Sequence, residues 1–88
     1  MNERELEKVL KALANKRRVA ILKHLKRAGQ ASVGDIAEAI KLSFKATSKH
    51  LMILSAADIV EREQISLTMF YFLPKTNHPM VSKLISIL

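Results

Sequence analysis

The stretch that decides the fold is residues 32–56, SVGDIAEAIKLSFKATSKHLMILSA. Its apolar residues recur at helical spacing in two segments, one over about residues 33–40 and the other over about 44–57. A three-residue connection separates the segments, and a serine, Ser32 or Ser43, stands before each one. Serine is a favoured N-cap, so the pattern predicts two short helices joined by a tight turn.

The second predicted helix has one apolar and one polar face. Helical spacing directs Thr47, Leu51 and Leu54 to the interior. The other face is a stripe at i, i+3, i+4 and i+7: Lys45, Ser48, Lys49 and Met52. A helix, a short turn and a second helix make a helix-turn-helix, whose second helix enters the major groove of DNA. A solvated surface is the alternative interpretation of the lysines, and their position on this helix favours contact with DNA.

The remaining elements extend outward from this motif on both sides. The predicted ranges are helices over about 3–14, 16–28 and 79–88, and strands over about 59–64 and 67–73. The strands are rich in β-branched and aromatic residues and form a hairpin directly after the motif. The predicted fold is mainly α with a β-hairpin: a winged helix-turn-helix of four helices, two strands and a fifth helix, in one domain over residues 1–88.

Composition limits the class of protein and the kinds of site. The 88 residues fit one domain, and 49% are apolar, which is enough for a folded core. Fifteen Lys and Arg against eight Asp and Glu give a formal net charge of +7, which favours a polyanionic partner such as nucleic acid. The lack of Cys excludes disulfides, zinc-thiolate sites and cysteine nucleophiles. No apolar run matches a membrane span or signal peptide, so we expect a soluble, cytoplasmic protein.

Two motifs of this sequence also occur in a known family. They are residues 10–22, LKALANKRRVAIL, and residues 42–54, LSFKATSKHLMIL. The first resembles the opening signature, and the second resembles the recognition helix, of the ArsR-type (arsenical-repressor-like) transcriptional regulators. Residues 59–60 and 70–73 are similar to the two wing strands of that family in spacing and type. The resemblance covers about residues 6–73 and implies a homodimer that binds double-stranded DNA, most often as a repressor.

Four departures from the family's pattern bear on the site. Lys41 stands where the family commonly has a glycine, and the wing, residues 61–66, has two acids and one Arg where family wings are often basic. Residues 31–35 lack the cysteines of metal-sensing members, and the predicted terminal helix lacks the Asp and His with which other members bind zinc. We therefore expect no metal and no cofactor, and DNA affinity that zinc, arsenite and peroxide leave unchanged.

The candidate DNA-binding residues lie on the helix-turn-helix and the wing. The set is Ser32, Ser43, Phe44, Lys45, Thr47, Ser48, Lys49, His50, Arg62 and Gln64. We expect Ser48 and Lys49 to read base edges and Lys45, near the helix start, to contact phosphate. His50 lies toward the buried side of the helix, so we expect a structural role for it before a contact with phosphate. Phe44 either contacts a thymine methyl group or packs against the protein. The two serines at the helix starts are N-caps, and the free N–H groups there also bind phosphate.

Two apolar stripes near the ends of the chain predict a dimer interface. The set is Leu6, Val9, Leu10 and Leu13 on the first helix and Met80, Val81, Leu84, Ile85 and Leu88 on the last. A domain this small leaves some apolar side chains uncovered, and contiguous exposed apolar patches mark interfaces. We expect an isologous homodimer and therefore an inverted-repeat operator.

The sequence offers no catalytic site, and we expect no enzyme activity. His24, His50 and His78 lie on different elements without metal-ligand spacing, and no phosphate-binding loop or nucleophile–base pair is present. Two other classes stay open: an architectural protein that binds DNA with little sequence preference, and a winged helix that binds another protein. Membrane-surface binding is disfavoured, because the basic residues are spread over several short helices.

Overall fold

Five α-helices and three β-strands follow one another along the chain. The computed structural model describes all residues from Met1 to Leu88. The elements are α1 Glu3–Leu13, α2 Lys16–Ala28, β1 Gln30–Ser32, α3 Val33–Ile40, α4 Phe44–Ala56, β2 Glu61–Ile65, β3 Thr68–Phe72 and α5 Pro79–Ser86. The predicted winged helix-turn-helix is confirmed, with α3 and α4 as its two helices and one strand more than predicted.

Side-chain caps set the starts of the helices in and around the helix-turn-helix. Ser32 Oγ accepts a hydrogen bond from the backbone N–H of Asp35 at 3.1 Å, and Ser43 Oγ accepts one from Ala46 at 3.1 Å. Asn15 caps α2 in the same way. These bonds satisfy N–H groups that have no partner within their helix. The predicted starts of α2, α3 and α4 are therefore confirmed.

A three-stranded antiparallel sheet packs beside the helices in the order β1-β3-β2. β2 and β3 form the predicted hairpin, in which Arg62 pairs with Tyr71 and Ile65 with Thr68. β1 pairs with the other edge of β3, where Ala31 lies opposite Tyr71. The prediction of two strands omits β1, because three residues between a helix end and an N-cap are too few to show an alternation.

One apolar core joins all five helices to the sheet. Its buried residues are Val9, Ala12, Ile21, Leu22, Leu25, Ala31, Ile36, Leu51, Leu54, Ile59, Val60, Tyr71 and Val81. Ile59 and Val60, predicted to begin a strand, instead lie buried in the connection before β2, so the hairpin begins at Glu61. None of the helices is both long and apolar enough to cross a membrane.

The turn of the helix-turn-helix contains a left-handed residue. Lys41 has φ 57° and ψ 50°, which is the left-handed conformation. Glycine adopts this conformation most easily, and Lys41 stands where the resembled family commonly has a glycine. The N–H of the next residue, Leu42, donates to the carbonyl of Ala37 at 3.0 Å and closes α3. A residue with a Cβ atom in this conformation costs about 1 kcal/mol relative to glycine.

Replacing Lys41 with glycine is expected to raise the free energy of unfolding by up to about 1 kcal/mol, because the Cβ strain is removed. Lys23→Gly is the matched control, since this exposed lysine lies in the middle of α2, where glycine destabilises by about 1 kcal/mol. Urea denaturation measures both changes. Equal destabilisation by the two substitutions would contradict the strain at Lys41.

Candidate DNA interface

The outward face of α4 presents the predicted recognition stripe. Lys45 and Lys49 are exposed and Ser48 is half-buried, whereas Leu51 and Leu54 on the opposite face are fully buried. The outer face thus offers two ammonium groups and a hydroxyl, which are groups that bond to phosphates and to base edges. Because the inner face anchors the helix in the core, the outer side chains contribute little to packing.

Thr47 does not belong to this outer face, and its assignment as a DNA contact is corrected by the structure. It is completely buried at 0% exposure, and its hydroxyl oxygen has no hydrogen-bond partner. Its spacing from Leu51 places it on the inner side of the helix. Phe44 and Met52, by contrast, are 62% and 64% exposed and add apolar surface along the outer side of α4.

A single guanidinium fixes α4 against α1 and α2. Arg18 on α2 donates from Nε to the carbonyl of Ala12 at 2.6 Å and from Nη2 to the carbonyl of Lys11 at 3.1 Å. Its Nη1 lies 3.2 Å from Nδ1 of His50 on α4. We call these contacts the Arg18 clamp. No local pattern around Arg18 predicts it, because its partner on α4 is far away in the sequence.

The Arg18 clamp also fixes the protonation of His50. A guanidinium has only donors, so Nδ1 of His50 accepts and the hydrogen of the neutral ring is on Nε2. The pKa of His50 is lowered from its usual value of 6.5, first by burial and then by the positive charges of Arg18 and Arg17. A neutral, half-buried His50 that bonds to Arg18 agrees with the structural role expected for it.

The wing separates its charges onto two faces. Cross-strand partners share a face and successive residues alternate between faces. One face contains Glu61 and Glu63 with their partners Phe72 and Phe70, and the other contains Arg62 and Gln64 with Tyr71 and Met69. Tyr71 is buried, so the face of Arg62 is the one turned toward the core. The two acids of the wing therefore point away from the side on which Arg62 lies.

A groove of about 410 Å³ lies between the wing tip and the starts of α3 and α4. It brings together two predicted DNA-binding residues, Ser32 and Phe44, with Leu67 at the tip of the hairpin. The wing residue Gln64 is engaged at that tip, where its Nε2 donates to the carbonyl of Ser66 at 3.4 Å. The helix-turn-helix and the wing therefore form one continuous surface.

The terminal helices expose only part of the predicted dimer stripes. Val9 and Val81 are 5% and 1% exposed, so the structure places them in the core of the protomer and not at an interface. The half-buried members of the set are Leu84 and, packed against the core, Leu13, Met80, Ile85 and Leu88. Leu6 and Leu10 are 36% and 50% exposed and remain available to a partner. Ile87, which was not predicted, is 72% exposed, because α5 ends at Ser86 and the chain turns there.

The sequence of the helix-turn-helix also matches a family profile. The profile described as bacterial regulatory protein, arsR family, matches residues 15–62, which run from the cap of α2 into β2. This chain belongs to the ArsR family. It is a DNA-binding transcriptional regulator, and the resemblance inferred from its motifs is confirmed.

Individual transcriptional regulators are similar to this chain over most of its length. The transcriptional activator HlyU of Vibrio cholerae is 37% identical over 83 residues, which cover 86% of this chain and 76% of HlyU. A solved structure of V. cholerae HlyU superposes with a TM-score of 0.81 at 31% identity, over 99% of this chain and 92% of that one. The homodimeric winged helix-turn-helix DNA-binding domain of a possible ArsR-family regulator from Mycobacterium bovis superposes with a TM-score of 0.81 at 26% identity, over 99% and 82%.

The Arg18 clamp predicts that this ArsR-family protein loses stability in mild acid. Unfolding restores the ordinary histidine pKa of 6.5, whereas folded His50 has a lower one, so the unfolded chain binds more protons as the pH falls through that value. The free energy of unfolding should therefore decrease between about pH 7.5 and about pH 5.5. His50→Gln removes the titrating group and retains an oxygen that accepts from Arg18.

Urea denaturation at the two pH values measures this effect. We expect a smaller decrease in the free energy of unfolding for His50→Gln than for the wild type. The same decrease in the two proteins would exclude His50 as its source.

Proposed function

We propose that this ArsR-family protein acts in the cytoplasm as a homodimer that binds an inverted-repeat operator and represses the promoter that the operator overlaps. The observation that supports the proposal most directly is the outward stripe of Lys45, Ser48 and Lys49 on a helix whose other face is buried. Side chains on such a stripe can contact DNA without disturbing the core. A dimer bound across a promoter blocks the polymerase by occupying the same DNA.

The three side chains of the stripe have different positions along α4 and therefore different contacts. Lys45 lies in the first turn, where the positive end of the helix dipole also favours phosphate. Ser48 and Lys49 lie one turn further along, where lysine bonds to O6 and N7 of guanine. The net charge of +7 adds attraction to any duplex, which raises affinity without selecting a sequence.

The start of α3 and the wing support the contacts of α4 from either side. Ser32 Oγ accepts from Asp35, and its own hydroxyl hydrogen remains for a phosphate oxygen. Arg62 lies on the opposite face of the wing from its acidic neighbours, which makes it a better phosphate partner than the net charge of the wing indicates. Gln64 already bonds to the hairpin tip and contributes less to DNA binding.

Exposed apolar side chains on α1 and beyond α5 support the homodimer. Leu6, Leu10 and Ile87 lie near opposite ends of the sequence and leave large apolar surface in water. The M. bovis relative with the same fold is described as homodimeric. A two-fold dimer separates two recognition helices by about 34 Å, one turn of B-DNA, which requires an inverted repeat.

Alanine variants of the α4 stripe test the proposed contacts once selection from a random duplex library has defined the operator. Ser48→Ala and Lys49→Ala are expected to lose roughly 1–3 kcal/mol of binding free energy on the operator only. Lys45→Ala should weaken binding to every duplex and reduce the slope of log affinity against log salt by about one. Fluorescence anisotropy measures affinity, and thermal melts check that each variant remains folded.

The outcomes of this experiment separate the possible functions. A triple alanine variant that binds the operator as tightly as the wild type would overturn the assignment of this face. Equal affinity of the wild type for operator and random duplexes would indicate an architectural protein, and no binding at low salt would indicate a protein-interaction module. In a reporter whose promoter overlaps the operator, the wild type should lower expression and the triple variant should not.

The double substitution Leu6→Asn with Leu10→Asn tests the homodimer. Because both side chains are exposed in the protomer, the double variant should remain folded but dissociate to monomers at micromolar concentration, as measured by light scattering. Ile65→Thr removes a similarly exposed apolar side chain from the wing and should leave the dimer intact. A monomeric wild type at the same concentration would refute the proposed interface.

A further inference from the structure

The tip of the wing exposes a large apolar side chain that the fold does not use. Leu67 is 95% exposed, more than any other large apolar residue of the chain. It forms, with Ser66, the two-residue connection between the paired residues Ile65 and Thr68. Two-residue hairpin tips favour Gly, Asn and Asp, and Ser66 adopts a positive φ of 57° without being one of them. Local departures of this kind are expected where a position serves function in place of stability.

The position of Leu67 relates it to the recognition helix. Leu67 and Phe44, the first residue of α4, line the same groove, together with Met69 and Val33. These four side chains give the groove apolar surface on both sides, and Ser32, a proposed phosphate contact, also lines it together with Thr68. A single sugar-phosphate strand separates the major groove of DNA from the next minor groove. In the proposed complex α4 occupies the major groove, so that the neighbouring groove of the protein would follow that strand and the wing tip beyond it would face the minor groove.

The charges of the wing indicate the kind of contact that the tip makes. The wing strands contain Glu61 and Glu63 against one Arg62, so attraction to phosphate is weak over the hairpin as a whole. Inside the minor groove, an apolar side chain can contact the deoxyribose C–H groups and the edges of base pairs that line the groove. Proteins that bind there insert Leu, Ile, Phe or Met between base steps, which unstacks the step and bends the duplex.

We propose that Leu67 inserts into the minor groove beside the half-site that α4 reads, and that Phe44 packs on the same strand from the major-groove side. This contact depends on the proposed DNA-binding function and adds a specificity-determining residue to it. Flexible pyrimidine–purine steps unstack most easily, so Leu67 selects operators with such a step beside each half-site. This selection requires no hydrogen bond to a base.

Leu67→Asn tests the insertion, with two controls from the same hairpin. Asparagine suits a turn, so the hairpin should be retained while the apolar contact is lost. Ile65→Thr is the matched control, because Ile65 is 45% exposed and shares the acidic outer face of the wing through its pairing with Thr68. Leu67→Met retains an apolar side chain of the kind that inserts between base steps and should rescue binding.

Affinity for the operator is measured by fluorescence anisotropy over a salt series, and bending by energy transfer between dyes at the duplex ends. Leu67→Asn should bind about tenfold more weakly with an unchanged salt slope, since no phosphate contact is lost, and should bend the duplex less than the wild type. Leu67→Met and Ile65→Thr should stay within about twofold of the wild type.

Two results overturn the insertion. In one, Leu67→Asn binds and bends the operator as the wild type does. In the other, Ile65→Thr loses as much affinity as Leu67→Asn, so that the effect belongs to the hairpin as a whole. Either result leaves the DNA-binding function of α4 in place. A wild type that binds no duplex would instead overturn that function and the insertion together.

Discussion

The last turn of α1 leaves four carbonyl groups without a partner inside the helix, and the arrangement of the DNA-binding surface depends on how they are satisfied. The backbone N–H groups of Ala14 and Asn15 bond to two of them. Arg18 bonds to the other two, and the positive charge of its guanidinium is favourable at the negative end of the helix dipole. The third nitrogen of the same guanidinium, Nη1, bonds to His50 in the middle of α4. The recognition helix is thus attached to the end of α1 by a group that α1 itself requires.

This attachment connects the two surfaces that a dimeric DNA-binding protein must hold in register. α1 exposes Leu6 and Leu10 toward a proposed second copy, and α4 exposes its polar stripe toward the proposed operator. A rotation of α1 against α4 would change the separation of the two recognition helices, which has to match about 34 Å on the duplex. The Arg18 clamp resists that rotation through three hydrogen bonds, and a neutral His50 is the condition for one of them.

Patterns that act within a few residues could be predicted from the sequence, and contacts between distant residues could not. The caps at Ser32 and Ser43 are local, so the starts of α3 and α4 were predictable to the residue. The left-handed turn at Lys41 was predictable from the motif in the same way. The role of Arg18 was not, because its bond to α4 joins residues that only the tertiary fold brings together. The separation of the wing's acids from Arg62 is not visible in its net charge either, because a sum over the hairpin ignores the alternation of faces along a strand.

Features that lower stability occur within the helix-turn-helix, and they also occur outside it. Lys41 is left-handed in the turn, and the buried hydroxyl of Thr47 has no partner under the recognition face. Asp58, before β2, is also left-handed, and the buried Nδ2 of Asn77, before α5, has no partner either. Each costs on the order of 1 kcal/mol or more, which is large against the 5–15 kcal/mol that stabilises a typical domain. The α2 helix, by contrast, has an asparagine cap, a glycine at its end and a continuous buried face. Backbone strain and unpaired buried groups therefore do not single out the elements proposed to bind DNA. What sets α4 and the wing apart is that Lys45, Lys49 and Leu67 lie outside the core, so a DNA-binding constraint can act on them without disturbing the packing.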